Sequence, residues 1–363
     1  MRSSAIRELL ERAGIEIGGP RPWDIRVRDD RWYARVFRDG SLGLGESYMD
    51  GWWDCDRVDE MVVRLLRAGV EDETGGRSRR FLRMLPAVLL NLQTQARARM
   101  IAERHYDLGN DLFASFLDPY NQYSCAHFQG TDDLEEAQRN KMARIAEKLA
   151  VAHGDRVLDV GCGWGGLARY LAEGHGCEVT AVNVSREQLR YAREFCAGLP
   201  VTFLDCDYRS IEGRFDKVVS VGMFEHVGSK NYRTFMKVVR RCLKDTGIFL
   251  LQTIGGNASG LGGLDPWMAR YIFPNGMLPS MAQIARAAEG LFVVEDWCNL
   301  GPHYDRTLMA WHANFQRAWD RLRERHDARF KRMWEYYLLS CAGAFRARRI
   351  QLWQVRMIPD PAR

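Results

Sequence analysis

The chain has 363 residues, enough for two or three units that each bury a sizeable core. Its 52 basic residues slightly outnumber its 47 acidic residues, and the formal charge of +5, averaged over the chain, is too small to imply nucleic-acid binding. Nine scattered cysteines without a Cys-x-x-Cys pair give neither a zinc nor a redox motif, and they indicate a reducing compartment.

Residues 1–75 are predicted to form a small N-terminal domain. Ser3 or Ser4 is placed to cap a short helix that runs through Ala13. Alternating apolar residues over 23–27, followed by an aromatic and β-branched run over 32–37, predict strands. Residues 40–53, rich in glycine and aromatics, predict a packed turn region.

A basic amphipathic segment, 76–104, follows this domain. Its arginines, interleaved with apolar residues, are Arg77, Arg79, Arg80, Arg83, Arg97, Arg99 and Arg104. This pattern is typical of a cationic segment that lies on an anionic membrane, although a helix docked on its own core with a solvated basic face would look the same. The charged start of the chain is unlike a secretion signal, and no apolar run reaches about 18 residues, so we expect a cytoplasmic protein that visits a membrane surface.

Residues 105–363 alternate between strand and helix patterns. A helix over 134–150 precedes strands predicted at 156–160, 178–182, 200–204, 215–221, 247–254, 291–296 and 307–312. Such alternation implies an α/β fold with a doubly wound, mostly parallel seven-stranded sheet, which binds ligands beyond the carboxyl ends of its strands. The segment 255–290 interrupts the pattern as an insertion that either closes over a substrate or lies on the surface.

The first strand of this sheet runs into a turn that contains Gly161, Gly163, Gly165 and Gly166. Glycine adopts positive φ without strain and leaves no Cβ to block a ligand. A helix pattern follows, so its first N–H groups point at whatever the turn binds. The turn therefore predicts a nucleotide-like cofactor.

The spacing of these glycines is compatible with two cofactors. A dinucleotide site needs an acidic residue about 20 positions further on, at the tip of the next strand. Here that strand leads into Asn183, Val184 and Ser185, with no carboxylate. S-adenosylmethionine has no pyrophosphate, and the string 159–165 resembles motif I of class I methyltransferases more than a dehydrogenase fingerprint. We therefore predict a Rossmann-like methyltransferase.

Several further motifs follow one another in the order of a single enzyme family. They are Leu44–Trp53, His105–Asp111, Gln122–Ala126, Val219–Gly228, Tyr271–Gly276 and Ala342–Arg346. Together with the glycine motif they resemble the cyclopropane-fatty-acyl-phospholipid synthases over nearly the whole chain. The N-terminal unit resembles the long bacterial phospholipid enzymes rather than the shorter mycolic-acid branch.

The resemblance implies a reaction and the residues that perform it. A methyl group passes from S-adenosylmethionine to a cis double bond in a phospholipid acyl chain, one proton is lost to a bound bicarbonate ion, and the ring closes. The positions that match the bicarbonate ligands are Cys125, Glu225, Ile254 and Tyr304, with Tyr106 as a further candidate. Ile254 would act through its backbone, because its side chain has no polar atom.

Gln252 departs from the family, which mostly has histidine at this position. Its amide still hydrogen-bonds an anion but cannot take up a proton, so we hypothesise that Gln252 orients bicarbonate while Glu225 and water accept the proton onward. Altered partitioning to a methylene or methyl-branched product is one alternative. A lipid-binding regulator that has lost the chemistry is another.

The resemblance also assigns the cofactor site. The matching positions are Tyr123, Ser124, Asp159, Gly161, Gly163, Gly165, Asn183, Val184, Gln188, Asp207 and Tyr208. No metal site is predicted. The expected partner is an anionic phospholipid membrane at the inner face of the cell, reached through basic residues in 76–104 and 321–350, with a homodimer as a possible assembly and no nucleic acid.

Overall fold

The structure is a computed structural model that describes residues 2–70, 109–259 and 264–362. These residues divide into two compact units. The first comprises 2–70, 264–274 and 304–350, and the second comprises 109–259, 275–303 and 351–362. The units do not follow the continuous boundaries that the sequence predicts, because two later segments group with the N-terminal residues. The basic segment 76–104 lies outside the described residues.

The first unit is mostly helical. Its described helices are Arg2–Arg12, Arg31–Asp39, Ser41–Met49, Val58–Arg67, Pro266–Tyr271, Ala328–Arg346 and the greater part of Gly301–Leu322. Two short strands, β1 (Arg26–Val27) and β2 (Trp53–Asp54), pair antiparallel.

The predicted motifs of the first unit contact one another or buried residues beside them. A Cβ atom at Gly45 would lie 2.4 Å from the Trp267 ring, so only glycine allows this close approach. One residue further along, the Glu46 carboxylate accepts a hydrogen bond of 2.8 Å from the Tyr271 hydroxyl. Arg346 makes an ion pair of 2.6 Å with the buried carboxylate of Asp59. These motifs therefore hold the first unit together.

The second unit contains most of a seven-stranded sheet. Its strands are β3 (Arg156–Val160), β4 (Glu178–Asn183), β5 (Val201–Asp205), β6 (Phe215–Val221), β7 (Leu243–Gly256), β8 (Phe292–Asn299) and β9 (Ile350–Pro359). The strand order is β5-β4-β3-β6-β7-β9-β8. The pairs β4–β5, β3–β4, β3–β6 and β6–β7 are parallel, whereas β8–β9 is antiparallel. The predicted doubly wound, mostly parallel sheet is confirmed.

Successive residues of the central strands point to opposite faces of the sheet, and an apolar cluster buries each face. Leu158 and Phe249 belong to one apolar cluster, and their neighbours Val157 and Leu250 belong to the other. The described helices of this unit are Asn110–Phe116, Leu134–Leu149, Gly166–His175, Arg186–Phe195, Tyr232–Cys242 and Met281–Ala288, with 3-10 turns at Tyr208–Ser210 and Phe224–His226.

Two predicted strands are wrong. Residues 307–312 lie in the helix Gly301–Leu322, and the seventh strand is β9. The buried residues Tyr304, Leu308, Trp311 and Phe315 recur every three or four positions, which is the period of a helix.

The run 32–37 is likewise part of a helix, Arg31–Asp39. Its apolar residues Trp32 and Val36 stand four positions apart, on one face.

Three further predictions differ from the structure. They concern residues 40–53, the start of the first helix and the segment 255–290. The region 40–53 contains the helix Ser41–Met49 in spite of its glycines, because close packing overrides their low helix propensity. The first helix begins at Arg2, before either serine that was expected to cap it. The segment 255–290 is not one insertion, since its described residues up to 259 and from 275 belong to the second unit and 264–274 to the first.

Within the described ranges, we find no helix that combines the length and the apolar composition needed to span a bilayer.

Candidate active site

The glycine turn after β3 has the backbone that the sequence predicts. Gly161, Gly163 and Gly165 have φ values of 92°, 54° and 82°, a region that disfavours other residues. A Cβ atom at Gly161 would lie 2.7 Å from the Cβ of Met223, so the turn approaches the end of β6 closely. At Gly163 no atom lies within 4 Å of the corresponding position, which leaves open space beside this residue.

Asn183, the last residue of β4, ties its own strand to this turn. Its amide nitrogen donates to the Gly163 carbonyl at 3.2 Å and to the Gln188 side-chain oxygen at 2.8 Å. Its side-chain oxygen accepts from the backbone N–H groups of Val184 and Ser185. The structure therefore brings these predicted cofactor residues together around the turn.

Aromatic residues from the segment before the sheet pack against the same turn. The Tyr123 ring lies edge-on to Phe113 at 5.2 Å and to Trp164 at 6.5 Å between centroids. The Trp164 indole N–H donates to the Asn110 side-chain oxygen at 2.9 Å. Sequence reasoning missed Trp164 and Asn110 as contributors, although both lie inside the recognised motifs.

Asp159, the acidic residue of β3, is 2% exposed. Burial raises the pKa of its carboxyl to about 7, and the nearby Lys141 ammonium acts in the opposite direction. Among the described residues, its Oδ2 atom has no hydrogen-bond partner. A buried carboxyl with a free oxygen at the edge of the sheet is suited to binding a polar ligand.

Asp207 and Tyr208 follow β5. The Asp207 carboxylate pairs with Arg209 at 2.9 Å. The Tyr208 ring packs edge-on to Phe235 at 5.3 Å inside an apolar cluster, and burial raises the pKa of its hydroxyl to about 12. Tyr208 is thus held rigidly at the strand end, and the Asp207 side chain is engaged by its neighbour.

Glu225 lies just after β6, beside the end of β7. Its Oε1 accepts a hydrogen bond of 2.7 Å from the backbone N–H of Ile254, whereas its Oε2 has no partner within the described part of the chain. Burial raises the pKa of the Glu225 carboxyl to about 7, although the N–H of Ile254 and the hydroxyl of Thr253 lower it. Part of the population therefore carries a proton at neutral pH.

Gln252 is paired with a residue that sequence reasoning missed. The Gln354 amide nitrogen, on β9, donates to the Gln252 side-chain oxygen at 2.9 Å, and both side chains are buried. The remaining atoms of the pair, Nε2 of Gln252 and Oε1 of Gln354, have no partner among the described residues. A buried amide with unused donors can bind a small anion.

The other predicted bicarbonate ligands lie as follows. Cys125 is 1% exposed, and its Sγ is 3.2 Å from the Ala126 carbonyl oxygen. Tyr304 belongs to the first unit, where its ring stacks on Phe345 at 4.5 Å. It lies in a helix rather than before a strand, which corrects its expected position. Tyr106 lies outside the described residues.

Three buried polar residues beside Ser124 were also missed: Gln122, Gln138 and Lys141. The Lys141 ammonium donates to the Ser124 hydroxyl at 3.0 Å. The available signal was that Gln138 and Lys141 stand three positions apart among the residues of the helix Leu134–Leu149 that face the core.

Comparison with known proteins decides the family. The family model described as mycolic acid cyclopropane synthetase matches residues 93–355. The cyclopropane-fatty-acyl-phospholipid synthase of Escherichia coli strain K12 is 55% identical over 348 residues, which cover 96% of this chain and 91% of that enzyme. The chain belongs to the cyclopropane synthase family.

Solved structures of cyclopropane synthases agree with this assignment. The cyclopropane synthase MmaA2 from Mycobacterium tuberculosis and the mycolic acid cyclopropane synthase CmaA1, complexed with SAH and CTAB, each superpose with a TM-score of 0.67 at 30% identity. Each match covers 72% of this chain and 98% of the other. The predicted family and fold are confirmed, and this cyclopropane synthase is an S-adenosylmethionine-dependent methyltransferase.

Proposed function

We propose that this cyclopropane synthase transfers a methylene group from S-adenosylmethionine to the cis double bond of an unsaturated phospholipid acyl chain, forming a cyclopropane ring. The observation that carries the proposal is the 55% identity, over 96% of the chain, to an enzyme named for this reaction. The buried polar atoms left without partners near the ends of β3, β6 and β7 support it, because such atoms are rare unless a ligand completes them.

S-adenosylmethionine supplies the electrophilic methyl group when bound. We assign its binding to the open glycine turn at Gly161–Gly165, to the Asn183–Gln188 pair, and to Asp159, whose free oxygen accepts a hydrogen bond. Tyr123 and Ser124 contact the methionine end in this assignment, and Val184, Asp207 and Tyr208 contact the adenosine. An alkene is a weak nucleophile, so rigid placement of the cofactor is the main contribution that these residues make.

Bicarbonate supplies the base that removes the proton. We assign its binding to Glu225 and Gln252, whose free Oε2 and Nε2 atoms fit an ion with both donor and acceptor groups. Because burial raises the pKa of Glu225 to about 7, both forms are present near neutral pH: the protonated form donates to the anion, and the ionised form accepts the proton onward. Ile254 orients Glu225 through its N–H. Cys125 is a further proposed ligand, and Tyr304 and Tyr106 stay predictions from the family motifs alone.

Attraction to an anionic membrane is assigned to the segment 76–104. The second basic region, 321–350, is a poorer source, because much of its charge is used in ion pairs. Those pairs are Arg329–Asp50, Arg332–Asp54, Lys331–Glu335 and Arg346–Asp305. Binding to vesicles should weaken as salt is raised and as anionic lipid is removed, and binding independent of both would overturn this assignment. We place the protein at the inner face of the cell membrane, and a homodimer remains part of the proposal.

Product analysis tests the proposed reaction. The purified chain is incubated with S-adenosylmethionine, bicarbonate and vesicles of an unsaturated phospholipid, and the acyl chains are examined by mass spectrometry and proton NMR. A gain of one CH₂ with loss of olefinic protons means ring closure. The same gain with olefinic protons retained means a methylene product, whereas an unchanged lipid contradicts the proposal.

A further inference from the structure

The segment that carries Tyr123, Ser124 and Cys125 rests on two buried polar side chains. Gln138 and Lys141 belong to the helix Leu134–Leu149 and have no measurable exposed surface. They stand three positions apart, so they lie on the same face of that helix.

Both side chains bind residues 122 and 124. The Gln138 amide nitrogen donates to the backbone carbonyls of Ser124 at 2.9 Å and Gln122 at 3.2 Å. The Lys141 ammonium donates to the Ser124 hydroxyl at 3.0 Å and to the Gln122 side-chain oxygen. Gln122 and Ser124 are therefore each fixed through both the backbone and the side chain. Tyr123 lies between them and packs toward Trp164.

The same segment presses against the glycine turn. A Cβ atom at Gly166 would lie 1.8 Å from the Tyr120 carbonyl oxygen and 2.5 Å from the Gln122 amide nitrogen. The Asp118 carboxylate accepts from the backbone N–H groups of Gln122 at 2.8 Å and of Tyr120 at 2.9 Å, which fixes the bend before Tyr123. Only glycine at 166 permits this contact, so the segment and the turn are built as one piece.

A fully buried lysine at this position would be destabilising if its role were packing alone. Burial lowers the pKa of the Lys141 ammonium to about 8, while the carboxylates of Asp118 and Asp159 act in the opposite direction. An apolar residue of similar volume would avoid this desolvation cost. Lys141 and Asp159 also favour each other's charged form electrostatically, so the two charges partly compensate each other.

We infer that Gln138 and Lys141 are positioning residues that hold Tyr123, Ser124 and Cys125 in the conformation that binds S-adenosylmethionine. The inference rests on the proposed function, because Tyr123 and Ser124 are proposed contacts of the cofactor. Neither Gln138 nor Lys141 needs to touch the cofactor, since each acts through residues 122–125.

The test compares Lys141→Met with Lys148→Met. Both replace a lysine of the same helix, but Lys148 makes an ion pair of 2.6 Å with Asp296 on β8 and no bond to the segment. Calorimetry with S-adenosylhomocysteine should show the dissociation constant rising about 10-fold or more in Lys141→Met and staying within about 2-fold in Lys148→Met. The KM for S-adenosylmethionine should rise in parallel, with kcat changing less. An unchanged dissociation constant in Lys141→Met overturns the inference.

A second variant keeps the inference testable if Lys141→Met fails to fold. Gln138→Met removes the donor to the Gln122 and Ser124 carbonyls without altering a proposed cofactor contact. Ser124→Ala, which removes the hydroxyl acceptor of Lys141, serves only in the double-mutant comparison, because Ser124 is itself a proposed cofactor contact. Gln138→Met should weaken S-adenosylhomocysteine binding several-fold while the melting temperature stays above the assay temperature, and unchanged binding would overturn the inference. Where Lys141→Met folds, combining it with Ser124→Ala should cost less than the sum of the two single changes. Full additivity would contradict action through Ser124.

Failure of the inference and failure of the proposed function give different results. If wild-type protein binds S-adenosylhomocysteine but forms no cyclopropane, the proposed function fails and the positioning role stands. If wild-type protein forms cyclopropane and Lys141→Met binds S-adenosylhomocysteine normally, the positioning role fails alone.

Discussion

Two buried carboxyl groups at the same edge of the sheet meet opposite environments. The buried ammonium of Lys141 acts electrostatically on Asp159, near the end of β3, and lowers the pKa of its carboxyl. Glu225 follows β6. The interactions that lower the pKa of its carboxyl are hydrogen bonds from backbone N–H groups and from the Thr253 hydroxyl, not from a cation. Burial nevertheless raises the pKa of both groups to about 7.

The different environments of Asp159 and Glu225 suit two different roles. A carboxyl next to a fixed cation keeps its place and accepts hydrogen bonds from a bound cofactor, which suits binding. A carboxyl without a cation gains or loses a proton without leaving a buried ammonium uncompensated, which suits handling a proton. We therefore expect changes at Asp159 to act on cofactor affinity and changes at Glu225 to act on turnover.

The largest expected effect is that of Glu225→Gln. The amide keeps the size of the side chain but cannot exchange a proton, so kcat for cyclopropanation should fall about 100-fold or more. The dissociation constant of S-adenosylhomocysteine, measured by calorimetry, should stay within about 3-fold of wild type. A variant with near wild-type kcat would remove Glu225 from the proton path.

The pH dependence of stability tests whether the pKa of Glu225 is raised in the folded chain. Because the pKa of Glu225 is higher in the folded chain, at about 7, than its ordinary value of 4.5, folding favours the protonated form. This contribution is complete below pH 4.5 and is lost as the pH rises to about 7, and it amounts to about 3 kcal/mol. Thermal or urea unfolding of wild type should lose stability relative to Glu225→Gln over that range. Parallel curves for the two proteins would show that Glu225 has an ordinary pKa.

Asp159→Asn should act on binding instead. The amide removes the negative charge that Lys141 compensates and one acceptor oxygen, so the dissociation constant of S-adenosylhomocysteine should rise about 10-fold. At saturating cofactor, kcat should fall by a smaller factor than in Glu225→Gln. A loss of kcat without any loss of affinity would abolish the distinction between the two carboxyl groups.

The smallest effect is expected for Gln252→His. Histidine restores the side chain that most of the family has and can accept the hydrogen bond from Gln354 that now ends on the glutamine oxygen. Cyclopropanation should be retained within about 3-fold of wild type, with the ring as product, when the lipids are analysed by mass spectrometry and NMR. Complete loss of activity would contradict the proposed role of Gln252.

The sheet was predictable because its core strands are short, apolar and separated by helix patterns. β3 and β6 begin and end where the sequence predicts. The helix Gly301–Leu322 was missed because 308–311 is a short apolar run, which periodicity alone cannot tell from a buried strand, and only the full length shows the helical period. The helix Ser41–Met49 was missed because its glycines serve close contacts with residues distant in the chain, which no local pattern reports.

The site was predictable only where its residues lie inside motifs. The family resemblance assigned both Asn183 and Gly163 to the cofactor, and they meet because the turn and the next strand tip are adjacent in a parallel sheet. Lys141 was missed although its spacing from Gln138 places both on the core-facing side of one helix. Gln354 was missed because it is isolated in the sequence and is recognised only through its buried partner Gln252. Tertiary pairs of this kind leave no spacing to recognise.

The most direct test of the proposed proton path through bicarbonate and Glu225 is the dependence of turnover on bicarbonate. Cyclopropane formation by wild type and Glu225→Gln is measured on unsaturated phospholipid vesicles at saturating S-adenosylmethionine, in buffer freed of carbon dioxide and then with bicarbonate restored. We predict that wild-type turnover falls in the depleted buffer and recovers on addition, whereas Glu225→Gln stays slow in both while still binding S-adenosylhomocysteine. Wild-type turnover that is indifferent to bicarbonate would contradict the account.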